Sequence, residues 1–360
     1  MLSWLAAVMV ALQTGTTPVA PLVAQWSIPF ASPPAAAAGF DASAAYVPLK
    51  GGQLVAVDLD RGTTRWQLDV ATPFTPATGE GMVFTTTESF IEARDAQTGV
   101  TRWRTPLPGG AAGPLYWDTG WLIASTLNGD LAAFRASDGQ LLWRQPIGAP
   151  LSAAPAPALD RLFLPLSDNR LMAVLLASGE TVWSRTQAGR ITGLLALEDQ
   201  LVFGTTAHEV VSVNVSSGRQ RWKRRVGGDV SGLPSADARR IYFAARDNVL
   251  RAVDRRSGNL RWSVTLPSRP SGGPLLLPMT ILMPLVSSAI AGFDPVTGAA
   301  TVTVQAAGEI GLPPFFRRDA RATAVRLVTV SRDGQLQGFL QRFEPVPALL
   351  GVLPGLPVTP

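Results

Sequence analysis

The sequence has no cysteine, one histidine and two lysines in 360 residues, and only 16% of its side chains are charged. Without cysteine there can be no disulfide, thiolate nucleophile, iron–sulfur cluster or Cys-based zinc site. A lipid anchor attached through an N-terminal cysteine is excluded with them. His208 alone cannot build a multi-histidine metal site; in TTAHEVV (205–211) it reads as a solvent-facing turn residue. No glycine-rich phosphate loop leads a strand into a helix, and no Gly-x-Ser-x-Gly elbow is present. The sequence therefore yields no catalytic, metal or cofactor-binding residues. The 46% hydrophobic content predicts an ordered, well-buried chain, while 30 prolines and 34 glycines spread along it leave few places for a long helix.

Two stretches lack charge altogether. Leu2–Leu12 is apolar but too short to cross a bilayer, and it is followed by small residues. It suits the core of a signal peptide, with cleavage expected after Ala24 and export of the remainder. Residues 271–293 are also uncharged, but Pro278 and Pro284 interrupt them and their segments fall in phase with a repeat. No transmembrane helix is expected in the mature chain.

That repeat is the dominant signal, and internal periodicity of this kind decides a fold. Glycines stand at positions 62, 99, 139, 179, 218, 258 and 298, a nearly constant interval. Four residues after them come Trp66, Trp103, Trp143, Trp183, Trp222 and Trp262, with Val302 in the seventh copy. Six residues before them stand Ala56, Ala93, Ala133, Ala173, Ser212, Ala252 and Gly292, always small. Two residues earlier again the side chain is always aliphatic. Large and small side chains in two-residue steps indicate a strand packed on both faces. An Asp or Asn four residues before most of the glycines can accept hydrogen bonds from the turn that it opens. Upstream pairs such as Asn128-Gly129 and Asp247-Asn248 suit tight hairpins.

Small, proline-containing segments such as 152–158 and 231–236 fit an innermost edge strand, where proline is tolerated and sheets converge. Radial sheets splay outward, and an indole on the outer strand would fill the widening gap. Trp26 precedes Trp66 by the same interval, so 25–30 would supply the outer strand of the last unit. The expected fold is all-β: an eight-bladed propeller of four-stranded antiparallel blades over 25–342, closed by the N-terminal strand. The wedges would be Trp26, Trp66, Trp103, Trp143, Trp183, Trp222 and Trp262. Residues 343–360 form a Pro-rich apolar tail.

The pattern (small)-x-Asp-x-x-(Ser/Thr)-Gly-x-x-x-Trp resembles the PQQ-like repeat, over essentially all of 25–341. Two branches of that family imply different functions. Quinoprotein dehydrogenases hold pyrroloquinoline quinone and calcium and oxidise alcohols or sugars. The non-enzymatic branch is typified by the propeller lipoprotein of the outer-membrane β-barrel assembly machine, which this chain resembles in size and blade economy. It departs from that lipoprotein in lacking an anchoring cysteine. Repeats this short and regular leave no room for the insertions of the enzymes, and the recurring acidic residues read as turn braces. The resemblance thus implies an exported, monomeric scaffold for protein partners of the cell envelope, with no cofactor. A quinone-dependent oxidoreductase is the alternative.

One region stands apart in charge. Residues 219–269 carry thirteen basic and four acidic side chains, a net +9 in a chain whose total is +5. Arg221, Lys223, Arg224, Arg225, Arg239, Arg240, Arg255 and Arg256 are expected on outer strands and turns of neighbouring blades, as one basic flank for an anionic partner. Nucleic acid is not expected in an exported protein, and no base-stacking aromatics interleave with the arginines, since the tryptophans are needed as wedges.

Overall fold

The structure, a computed structural model, describes residues 22–87, 89–318 and 324–342. The expected leader (1–24), except for its last three residues, and the expected tail (343–360) lie outside these. Every regular element among the described residues is a strand, and the strands form eight four-stranded antiparallel sheets. Blade 1 runs outward from the axis as Gly39–Phe40, Ala44–Leu49, Gln53–Asp58 and Thr64–Leu68. Blades 2 to 7 repeat that order to Ala300–Gln305. Blade 8 comprises Phe315–Arg318, Ala324–Val330 and Gln335–Arg342, and its outer strand is the N-terminal Val23–Pro29. The apolar stretch 271–293 contributes three short strands of blade 7.

The columns of the repeat acquire a single explanation. On each of blades 1 to 6 the tryptophan pairs across the ladder with the small residue, Ala56 with Trp66 and Ala173 with Trp183 among them. On blade 8 Trp26 faces Gly338. The small side chain lets the indole lie flat across its own sheet and reach the next blade. There its Nε1–H donates to a turn carbonyl: Trp26 to Leu59, Trp66 to Ala96, Trp103 to Ala136, Trp143 to Leu176, Trp183 to Val215, Trp222 to Arg255 and Trp262 to Pro295, at 2.9–3.3 Å. The indole also rests on that turn's glycine. A Cβ on Gly179 would stand 2.6 Å from Trp143 Cε3, and the backbone there has φ 73°. Glycine is thus required twice, for the left-handed conformation and for the contact.

The exception at Val302 follows from the same contact. Blade 8 has no turn before its outer strand, because the two ends of the chain meet there. An indole on blade 7 would have no turn to cap. Val302 and Leu22 instead pack against a cluster shared by blades 7 and 8 that includes Ile290, Val304, Leu327 and Phe339.

Near the axis the blades touch through backbone. A Cβ on Gly232 would lie 2.3 Å from the Gly273 nitrogen, and one on Gly193 2.5 Å from the Gly232 oxygen. That crowding explains the small-residue innermost segments. The ring has two faces. The upper face carries the turns between second and third strands and the links between blades. The lower face carries the other turns and both ends of the described propeller.

Candidate functional site

Of the basic residues singled out, the structure gathers four at the lower end of blade 6. The turn that follows its innermost strand is built on Asp237, whose Oδ1 accepts the backbone N–H of Arg239 at 2.7 Å and of Arg240 at 2.6 Å. Its other oxygen meets the Tyr242 hydroxyl at 2.6 Å and Arg240 Nη1 at 3.1 Å. Burial works against ionisation of Asp237, but these donors win and hold its carboxyl below the usual range. Burial, then Asp237, pushes the Tyr242 hydroxyl well above its ordinary pKa, so it stays a donor.

The turn before the outer strand repeats the device. Asp254 Oδ1 accepts N–H groups from Arg256 at 3.0 Å and Ser257 at 2.9 Å, and Oδ2 takes Arg261 at 2.6 Å. The hydrogen bond from Arg261, with those of Ser257, depresses the Asp254 carboxyl strongly.

Between these turns lies a cavity of 540 Å³ lined by Ala238, Arg239, Arg240, Asp254, Arg255, Arg256, Arg261 and Val296. Five guanidinium groups face one carboxylate. Arg240, Arg261 and Arg255 are engaged by Asp237, Asp254 and Asp199 respectively. The side chains of Arg239 and Arg256 make no hydrogen bond or ion pair among the described residues. The cavity therefore presents two uncommitted cations on a pre-ordered arginine wall, an arrangement suited to an anion.

The remainder of the expected flank divides. Arg221 pairs with Asp199 at 2.6 Å on the lower side, beside Arg255. Arg224 donates to the Gly258 carbonyl at 2.7 Å and ties blade 5 to blade 6. Lys223 turns toward the upper side, to Glu209 at 3.0 Å, and Arg225 ends the same strand there. The eight residues do not form one continuous surface: the strand carries Arg221 at its lower end and Lys223 and Arg225 toward its upper end, while Arg224 points to the other face of the sheet, into the gap between blades.

Arg261 was not among the residues singled out. Its signal lay in the spacing: an arginine seven residues after the turn aspartate, just before the tryptophan, also occurs as Asp58–Arg65 and Asp95–Arg102.

A larger cleft of 820 Å³ opens on the upper side between blades 1 and 2. Glu92 and Arg94 occupy third-strand positions that are apolar in blade 1 (Val55, Val57) and blade 4 (Met172, Val174). Its charges answer one another: Arg94 lies 2.5 Å and Arg104 3.3 Å from Glu92, and the Arg104 guanidinium sits 3.7 Å from the Phe90 ring centre. His208 stands in a left-handed turn, as its place in the repeat implied, with Nε2 3.3 Å from Asp229. Calcium needs six to eight oxygen ligands. Among the described residues no group of three or more His, Cys, Asp or Glu side chains is placed to hold a metal ion.

Comparison with known proteins gives this ring a lineage. A family model described as outer membrane protein assembly factor BamB, built of PQQ-like repeats, matches residues 87–196 and again 173–326. The chain belongs to the PQQ-like repeat family. Among curated relatives, the BamB of Yersinia pestis is 25% identical over 166 residues, which are 41% of this chain and 42% of that protein. The chain spans under half the length of the curated PQQ-like relatives that it matches. Among solved structures, BamB from Moraxella catarrhalis superposes with a TM-score of 0.70 at 16% identity, over 90% of this chain and all of that one. The quinohemoprotein alcohol dehydrogenase of Comamonas testosteroni gives 0.74 at 12% identity, over 92% of this chain and 78% of that one. Both likenesses are of fold. No helix among the described residues is long and apolar enough to cross a membrane.

Proposed function

We propose that the chain is an exported, non-enzymatic binding scaffold of the cell envelope, serving outer-membrane protein assembly through protein partners. The reading is carried by the assembly-factor family model, which covers residues 87–326 in two overlapping matches. The propeller's economy supports it. Each repeat is used up by four strands and their turns, leaving no inserted loops to surround a cofactor. Residues 1–24 act as the leader and 25–342 as the mature propeller, in the periplasm. The arginine cavity of blade 6 receives an anionic group.

Affinity capture of the exported protein after cross-linking in intact cells tests the role. Outer-membrane assembly proteins are expected among the partners, and their absence would sink it. Adding pyrroloquinoline quinone with calcium should produce neither dye-linked alcohol oxidation nor a bound-cofactor absorbance. Turnover would restore the oxidoreductase reading.

A further inference from the structure

We infer that the lower face of the ring docks on a bilayer surface containing anionic phospholipid. The inference rests on the envelope reading above and adds a second partner of different chemistry.

Apolar exposure is segregated. Of the twelve exposed large apolar side chains among the described residues, Val100, Leu159, Met279 and Val296 stand in lower turns and five more, Leu141 and Leu260 among them, in the lower halves of outer strands. Only Leu127 and Val286 lie in upper turns, and Leu233 lies on an innermost strand. Single exposed apolar residues are ordinary on soluble proteins. A nine-to-two division between the lower and upper halves of the ring is not, and it suits an interface that accepts apolar side chains to a shallow depth.

The uncommitted arginines are on the same face. Arg239 and Arg256 share their cavity with Val296, so cationic and apolar groups are interleaved as headgroup phosphates and acyl chains are. The carboxylates that would repel a phosphate there are occupied. Asp237 and Asp254 hold Arg240 and Arg261, and Asp294 accepts the N–H groups of Val296 at 2.9 Å and Thr297 at 2.7 Å.

Chain connectivity brings this face to the bilayer. The N-terminal strand enters from the lower side, where Val23 pairs with Leu340 and Leu22 packs beside Val302. Nine residues, and so ten Cα–Cα steps, separate Leu22 from Leu12, the end of the apolar leader core. That tether spans at most about 35 Å. While the leader is attached, the lower face is held within that distance of the membrane. An acidic protein surface would answer the arginines but not the apolar ring around them.

The absence of cysteine makes the test direct. Val296→Cys and Leu127→Cys variants of the full chain, each carrying a polarity-sensitive fluorophore, are mixed with phosphatidylglycerol-containing or pure phosphatidylcholine vesicles. A blue shift at position 296 on the anionic vesicles, with none at 127, is expected. Adding Arg239→Glu and Arg256→Glu should weaken that response at least tenfold in apparent affinity. A shift of equal size at both positions, an equal response on neutral vesicles, or insensitivity to the charge reversal would overturn the inference. Capture of assembly proteins that persists while the vesicle response fails would overturn membrane docking alone and leave the scaffold role standing.

Discussion

The tryptophan is the smallest unit in which the fold can be understood. Its indole covers a small residue on its own sheet, seals the gap to the next blade and satisfies a turn carbonyl there. Trp183 is buried, its ring centre is 5.8 Å from that of Phe163, and its Nε1–H reaches the Val215 carbonyl at 3.3 Å. Trp183→Ala should cost about 3–5 kcal/mol in denaturant unfolding, whereas Trp183→Phe keeps part of the packing and should cost less. Gly179→Ala meets both a positive φ and the Trp143 ring, and about 2 kcal/mol is expected. Val302→Trp, by contrast, should stabilise nothing. With no turn to cap it overfills the seam, and a loss of about 1–3 kcal/mol should appear in the same experiment.

Charge acts at this scale too. The hydrogen bond from Arg102, followed by those of Thr98, lowers the Asp95 carboxyl to about 2. A carboxylate depressed in the folded state contributes stability above its unfolded pKa, and that contribution is lost as pH falls toward the folded value. The window here runs from about pH 4 down to pH 2. Thermal unfolding of Asp95→Asn should show a shallower acid-side decline there than the parent chain. Identical slopes would remove Asp95 from the account.

At the scale of the strand, the N-terminal segment is the element with the widest reach. Val23–Pro29 is the outer strand of a blade whose other strands lie at the far end of the sequence. Removing 23–29 should strip hydrogen-exchange protection from 311–341 before it affects blades 2 to 6. Uniform loss around the ring would mean that the blades do not unfold separately.

How much of this was legible in the sequence depends on what repeats. Seven glycines, six tryptophans and seven small residues in fixed columns announced the blades, their number and the displaced strand, because every copy obeys the same contact. The reach of the indole to the next blade's turn was not legible, since it joins residues in different copies of the repeat. Nor was the division of the basic flank. Arg221, Lys223 and Arg225 share one side of a strand that runs from the lower to the upper face, and composition alone does not tell its two ends apart. Arg94 broke a column that is apolar in every other copy, a signal visible only once the columns are set side by side.

The whole molecule is a ring in which each blade except the seventh clasps its successor through an indole. Removing the leader after Ala24 would delete the pairs of Val23 with Leu340 and Ala24 with Phe339 but keep Trp26 opposite Gly338 and its bond to Leu59. Mass spectrometry of the exported chain is expected to find Gln25 at its N-terminus. An intact leader on the exported protein would make it a permanent tether.

The seam at blade 8 also sets the order of events during synthesis. Because the first strand to emerge pairs with the last, a growing chain stays open until nearly all of it has been made. A product cut short before Gln335 lacks the strand against which Val23–Pro29 would pair, and its circle stays open.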